Sequence, residues 1–148
     1  MAMLQKQAKG FTLIEVIVAM VILAIGLLGM ASLVMTSMQS NQGAYLRSQA
    51  SMLAADMAER IRANSIQTSA YVSSSQPAAE NCSTCTPAQQ ANADLYQWWS
   101  NLTTAIPGAT ARITAPSLGN YLITINWVES DAQLKTTSAK SYVLRVEL

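Results

Sequence analysis

Between Val16 and Leu46 the chain carries no charged side chain, and from Val16 to Met35 it is almost wholly apolar. About 20 such residues, wound as a helix, are enough to cross the hydrocarbon core of a bilayer. No other feature constrains the fold so strongly, because a run of this length has to be covered by lipid or by protein. The 148 residues are 51% hydrophobic and only 11% charged, against about 25% charged in an ordinary soluble domain. The apolar surplus is therefore concentrated in one place. A short polar leader, Met1–Gly10, precedes it and carries Lys6 and Lys9. Basic residues ahead of an apolar run hold that end in the cytoplasm, so the C-terminal bulk is expected to face outward. A secretory signal has the same polarity, but its apolar stretch runs about 7–15 residues and closes on a small-residue cleavage site. This run is longer and has no such site, so a retained span is expected.

No proline interrupts the chain from Phe11 to Asn64. Leu46, Ala50, Leu53, Met57 and Ile61 continue a three-to-four spacing beyond the apolar run. One helix over this stretch would be roughly 80 Å long, too long to pack entirely on a domain of this size. Its first half belongs in lipid or against similar rods. Gly26 and Gly29 each weaken that helix by about 1 kcal/mol relative to alanine, which fits close helix packing, simple tolerance of glycine in a membrane helix, or a flexible point. Asp56–Arg60 and Glu59–Arg62 have the spacing of solvated helix pairs, worth a few tenths of a kcal/mol.

Several chemistries are excluded. Histidine is absent, which removes Ser-His-Asp and Cys-His catalysis, histidine-ligated metals and the usual neutral-pH proton shuttle. Asp94, Glu129, Asp131 and Glu147 are scattered, with no spacing that forms an acid pair. No enzyme activity, cofactor or metal is expected. The formal charge is +1, and acidic residues interrupt the basic patch at Arg60 and Arg62, so nucleic acid is not an expected partner.

Ser65 to Glu80 is polar, lacks periodicity and reads as a connection. Cys82 and Cys85 cannot complete a tetrahedral zinc site in a chain without histidine, and the framework of a thioredoxin-like motif is missing. Outside the membrane, a short disulfide-closed loop between them is expected rather than free thiols. Thr86-Pro87-Ala88-Gln89 is a helix start, with a Thr cap, Pro at the first helical position and Gln three residues after the cap. The helix that follows directs Ala91, Leu95, Trp98, Leu102 and Ile106 toward a core and stops at Pro107-Gly108. Trp98 and Trp99 point about 100° apart, so one is expected inside and the other at the border of the core, packed peripherally against another element or open to a partner surface. Tyr121, Ile123, Ile125 and Trp127 alternate with their neighbours in strand fashion, and Tyr142, Leu144, Val146 and Leu148 repeat the pattern. With a weaker strand over Ala109–Ala115, a turn at Pro116–Asn120 and a polar connection at Ser130–Ala139, this predicts a three-stranded antiparallel meander packed on the outer half of the long helix. The last strand leaves an edge open to another subunit.

One charge breaks the apolar segment. Glu15 is the sole charged residue between Phe11 and Leu46, and a carboxylate in a bilayer costs a few kcal/mol unless it has a partner. The string Gly10-Phe11-Thr12-Leu13-Ile14-Glu15-Val16 resembles the class III signal of type IV pilins and pseudopilins. The resemblance implies that a prepilin peptidase cuts between Gly10 and Phe11 and methylates the new Phe11 amine. Glu15 then neutralises that ammonium, within the chain or on a neighbouring subunit, and serves subunit assembly. The segment Ala54-Ala55-Asp56-Met57-Ala58-Glu59-Arg60-Ile61-Arg62-Ala63-Asn64 is similar to the corresponding stretch of PilV-type minor pilins. Trp98/Trp99 to Leu102, Ile106-Pro107-Gly108 and Ile123–Trp127 resemble that subfamily's globular domain.

The implied fold is α+β: the pilin fold, a long N-terminal α-helix with an antiparallel β-sheet on its C-terminal half and a short second helix. The corresponding divisions are a leader at 1–10, a transmembrane and filament-core segment at 11–38, a periplasmic half-helix at 39–64 and a globular head at 65–148. The implied role is that of a minor pilin that primes assembly at or near the pilus tip. Its partners would be the major pilin and other minor pilins, the peptidase, the membrane and the assembly platform. It would sit first in the inner membrane and later in the extracellular pilus. A minor pseudopilin of type II secretion is the alternative built on the same signal.

Overall fold

The computed structural model describes residues 10–80, 84–131 and 136–148. In chain order these form helix α1 (Leu13–Ala63), a 3-10 segment (Ser65–Tyr71), helix α2 (Pro87–Ala105) and strands β1 (Thr110–Ser117), β2 (Asn120–Asp131) and β3 (Thr136–Glu147). The residues group into two compact units, Met1–Ser40 and Asn41–Leu148, and α1 contributes to both.

The start of α1 is set at Thr12, whose carbonyl accepts the N–H groups of Glu15 at 3.1 Å and Val16 at 3.3 Å. Glu15 in the first turn and Arg60 and Arg62 in the last are placed favourably for the helix dipole. Within the first unit the large apolar side chains of α1 are exposed, from Leu13 to Met38. In the second unit the same helix buries Ala50, Ala54, Met57, Ala58 and Ile61. The alanines on this face allow close approach of the neighbouring elements.

The sheet is an antiparallel meander in the order β1-β2-β3. Ile113 faces Ile123, and Ile123 in turn faces Leu144. The buried side chains Ile113, Tyr121, Ile123, Ile125, Trp127 and Val146 join the α1 face and α2 in one hydrophobic core. The architecture is thus the α+β fold with a long first helix, a short second helix and a three-stranded antiparallel sheet. Helix α2 begins as its sequence dictates. Thr86 Oγ1 accepts from Gln89 N, Thr86 N–H donates to Gln89 Oε1 at 3.0 Å, and Pro87 occupies the first turn. Its end lies at Ile106, whose N–H reaches Leu102 O at 2.8 Å, ahead of Gly108 with φ 78°.

Three sequence expectations change, and one left open is decided. The stretch read as a plain connection contains the 3-10 segment, and its Tyr71 is fully buried. A lone aromatic in a polar run has no periodicity to reveal it. Both Trp98 and Trp99 are buried, at 0% and 7% exposure. The rings meet edge to face, with centroids 5.9 Å apart and planes at 84°, so the buried arc of α2 is wider than one stripe, and of the two places open to the second tryptophan the structure has core packing. Strands β2 and β3 pair as far as Asp131↔Thr136, through the region read as a loop. Backbone pairing continues there without a buried face, so no hydrophobic alternation marks it. Leu148, expected to continue the inward alternation, is about half exposed at the end of the chain.

Candidate functional site: the start of helix α1

Gly10 and Phe11 precede the helix and are exposed, and a Cβ at Gly10 would meet no atom within 4 Å. Phe11 and Glu15, one turn apart, line a shallow groove with Val16, Ala19, Met20 and Leu23. This groove puts the only carboxylate of the apolar segment beside the residue that opens it. The helix beyond is long and apolar enough to cross a membrane, with a mean hydropathy of 2.7 over its most apolar 18 residues. Of the remaining sequence-selected positions, Cys85 lies half-buried ahead of the α2 cap. Cys82 lies outside the described residues.

A family model described as "Prokaryotic N-terminal methylation motif" matches residues 5–31, the stretch containing Gly10, Phe11 and Glu15. A second, described as "Type IV pilin Tt1218", matches residues 32–96. The chain belongs to the type IV pilin superfamily. Pilins with this motif are processed by prepilin peptidase and assemble with other pilins into a pilus, and they are structural rather than enzymatic proteins. The exposed apolar half of α1 in this pilin fits membrane anchoring followed by filament assembly. No curated protein and no solved structure matches the chain.

Within the second unit of the pilin, a polar cluster joins α1 to α2. Arg60 Nε lies 3.0 Å from Asp56 Oδ2, and its Nη1 lies 3.2 Å from Asp94 Oδ1. Arg60 is therefore more than half of a solvated helix pair: it ties two helices together from a largely buried position. Asp94 also accepts from Gln90 Nε2 at 3.0 Å and from Tyr71 Oη at 2.6 Å. Burial, and after it the hydrogen bond to Asp94, pushes the Tyr71 phenol well above its ordinary range. Tyr71 is thus a neutral donor to a carboxylate at all physiological pH values. Asn64 completes the joint by donating to Pro87 O at 2.7 Å. The pair Glu59–Arg62, at 2.6 Å, stays on the surface.

Trp98 Nε1 donates to Leu53 O at 2.8 Å, adding a second tie between the helices. Glu129 lies against Gly43, where a Cβ would approach its Oε2 to 3.4 Å, and it accepts from Trp127 Nε1 at 3.0 Å. Arg47 stands 3.9 Å from the same carboxylate. The sequence offered two signals for this polar framework: the Asp56–Arg60 spacing, and Asp94 as an acid within the otherwise uncharged helix α2. Gln90 is one helical turn from it, but Tyr71 and Arg60 come from 23 and 34 residues away, and spacing along the chain does not reveal those two.

Proposed function

We propose that the chain is a minor pilin of the PilV type, which primes assembly of a type IV pilus and is incorporated at or near its tip. The observation that carries this reading is the shared groove of Phe11 and Glu15 at the start of an exposed apolar helix. Cleavage between Gly10 and Phe11 leaves an amine on Phe11, which the peptidase methylates. Glu15 pairs with that ammonium, on its own chain or the next. In apolar surroundings the attraction offsets the desolvation of both charges, whereas either charge alone is costly. Before assembly residues 11–38 span the inner membrane, and the remainder, 39–148, lies in the periplasm. Cys82 and Cys85 close a small disulfide loop that stiffens the approach to α2. The protein catalyses no reaction, and its partners are the major pilin, other minor pilins and the assembly platform.

The similarity of Ala54–Asn64 to PilV-type proteins favours a pilus over a type II secretion pseudopilus. Both readings are tested by Glu15→Gln in a strain lacking the native copy. Pilus number is expected to fall toward that of the deletion strain, with protein secretion unchanged. Normal pili and normal incorporation of the variant would sink the assembly role, and a secretion defect without a pilus defect would transfer the protein to the secretion system.

A further inference from the structure

The two edges of the sheet are built differently. On β1, the N–H and C=O of Ile113 point away from β2 and are taken by Ser73, at 2.7 and 3.2 Å. That strand also carries Pro116, which has no N–H to offer, and its register slips between Thr114 and Ser117. Each of these features blunts an edge against further strand pairing.

None of these features is present on β3. Its register with β2 runs unbroken from Asn120↔Glu147 to Asp131↔Thr136, and the strand contains no proline. Leu148 N–H donates to Gly119 O at 2.9 Å, which fixes the phase of the ladder. In an antiparallel pair, residues that bond the partner strand alternate with residues whose N–H and C=O point the other way. The even-numbered residues of β3 therefore bond β2. Thr137, Ala139, Ser141, Val143, Arg145 and Glu147 direct their backbone groups to the open edge. Among the described residues, no segment of the chain pairs with them. A straight row of unpaired backbone groups this long is a template for an added strand.

We infer that the open edge of β3 is an assembly surface that takes an extended strand from the head of a different pilin subunit. This rests on the chain being a pilus subunit, as proposed above. A second copy of the chain cannot fill the edge in a growing fibre. Identical subunits in a filament meet through two unlike surfaces, so an edge-to-edge ladder needs the neighbour's β1 edge, and that edge is blunted at Ile113, Pro116 and the register slip in every copy. Joining β3 to β3 about a two-fold axis gives a closed pair that cannot continue. A non-identical pilin escapes both restrictions. One such contact per molecule suits a subunit used a few times at a defined place in the fibre.

The test uses the full-length chain in pilus-producing cells, with the photo-crosslinking residue p-benzoylphenylalanine at Val143. This side chain is exposed beside the edge. The expected result is an adduct with the head of a different pilin, identified by its cross-linked peptide. Ser141→Pro removes one outward N–H and no bond to β2, and it should reduce the adduct at least tenfold. The variant's thermal unfolding in detergent checks that it folds. Hydrogen exchange of residues 136–147, compared between the detergent-solubilised chain and sheared pili, needs no edge variant and should slow at least tenfold in the pili. An adduct only with another copy, an adduct that survives Ser141→Pro, or unchanged exchange in pili that contain the protein overturns the edge while leaving the pilin assignment intact. A correctly folded chain that never enters pili overturns both.

Discussion

The two halves of α1 are the same secondary structure with opposite fates. From Leu13 to Met38 its large apolar side chains are exposed, whereas from Ala50 to Ile61 one face is completely buried. The first half is apolar on all sides and has no preferred face. It requires a surrounding medium that is itself apolar, lipid or a sheath of like helices. The second half alternates buried alanines and larger residues with Asp56, Glu59, Arg60 and Arg62, so it can face a core on one side and water on the other. A helix is therefore not one kind of object along its length. Propensity makes it continuous, and side-chain chemistry assigns each part its solvent.

Truncation should break this contrast most visibly in the core. Trp98→Ala removes a fully buried ring and its hydrogen bond to Leu53 O, at a cost of about 3–5 kcal/mol. Leu23→Ala, on the exposed half, should leave the stability of the second unit within about 0.5 kcal/mol. Thermal unfolding of the full chain in detergent separates the two, because Trp98, Trp99 and Trp127 all lie in the second unit and their fluorescence reports on it alone. Comparable destabilisation by both variants would mean that the halves are energetically coupled.

Asp94→Ala should come next, at about 2 kcal/mol, because it strips Arg60, Gln90 and Tyr71 of a shared acceptor in a partly buried site. Denaturant unfolding would measure it, and Asp56→Ala, which leaves Arg60 still paired with Asp94, should cost clearly less. If the two variants proved equal, the joint between the helices would reduce to surface pairs.

The smallest expected effect is a pH dependence. The Tyr71 phenol is raised in the folded state, so its contribution to stability is complete below the ordinary tyrosine value of about 10 and is lost as pH rises above it. The unfolding midpoint should therefore fall more steeply above about pH 10 in the parent chain than in Tyr71→Phe. Parallel curves would show that another group governs the alkaline limit.

Much of this was legible in the residues themselves. The unbroken, proline-free run announced α1, Thr86-Pro87-Ala88-Gln89 announced the start of α2, and the alternation from Tyr121 to Trp127 announced the central strand. These signals are local, since each rests on neighbours within one or two turns or along one strand. The misreadings share the opposite property. Tyr71 is buried by elements distant in sequence, and Arg60 finds Asp94 across 34 residues. Strands β2 and β3 extend past their hydrophobic alternation because a backbone ladder needs only a partner strand.

Sequence alone determined the continuity of the long helix, its two chemically distinct halves, the placement of Glu15 beside Phe11 and the membership of the pilin superfamily. All of these follow from composition, periodicity and a contiguous motif. Tertiary structure alone decided that Arg60 serves Asp94 as well as Asp56, that both tryptophans are interior, and that one sheet edge is capped by Ser73 at Ile113 while the other is open. Those outcomes depend on which segments meet in space. Chain spacing does not encode such meetings until the core has formed.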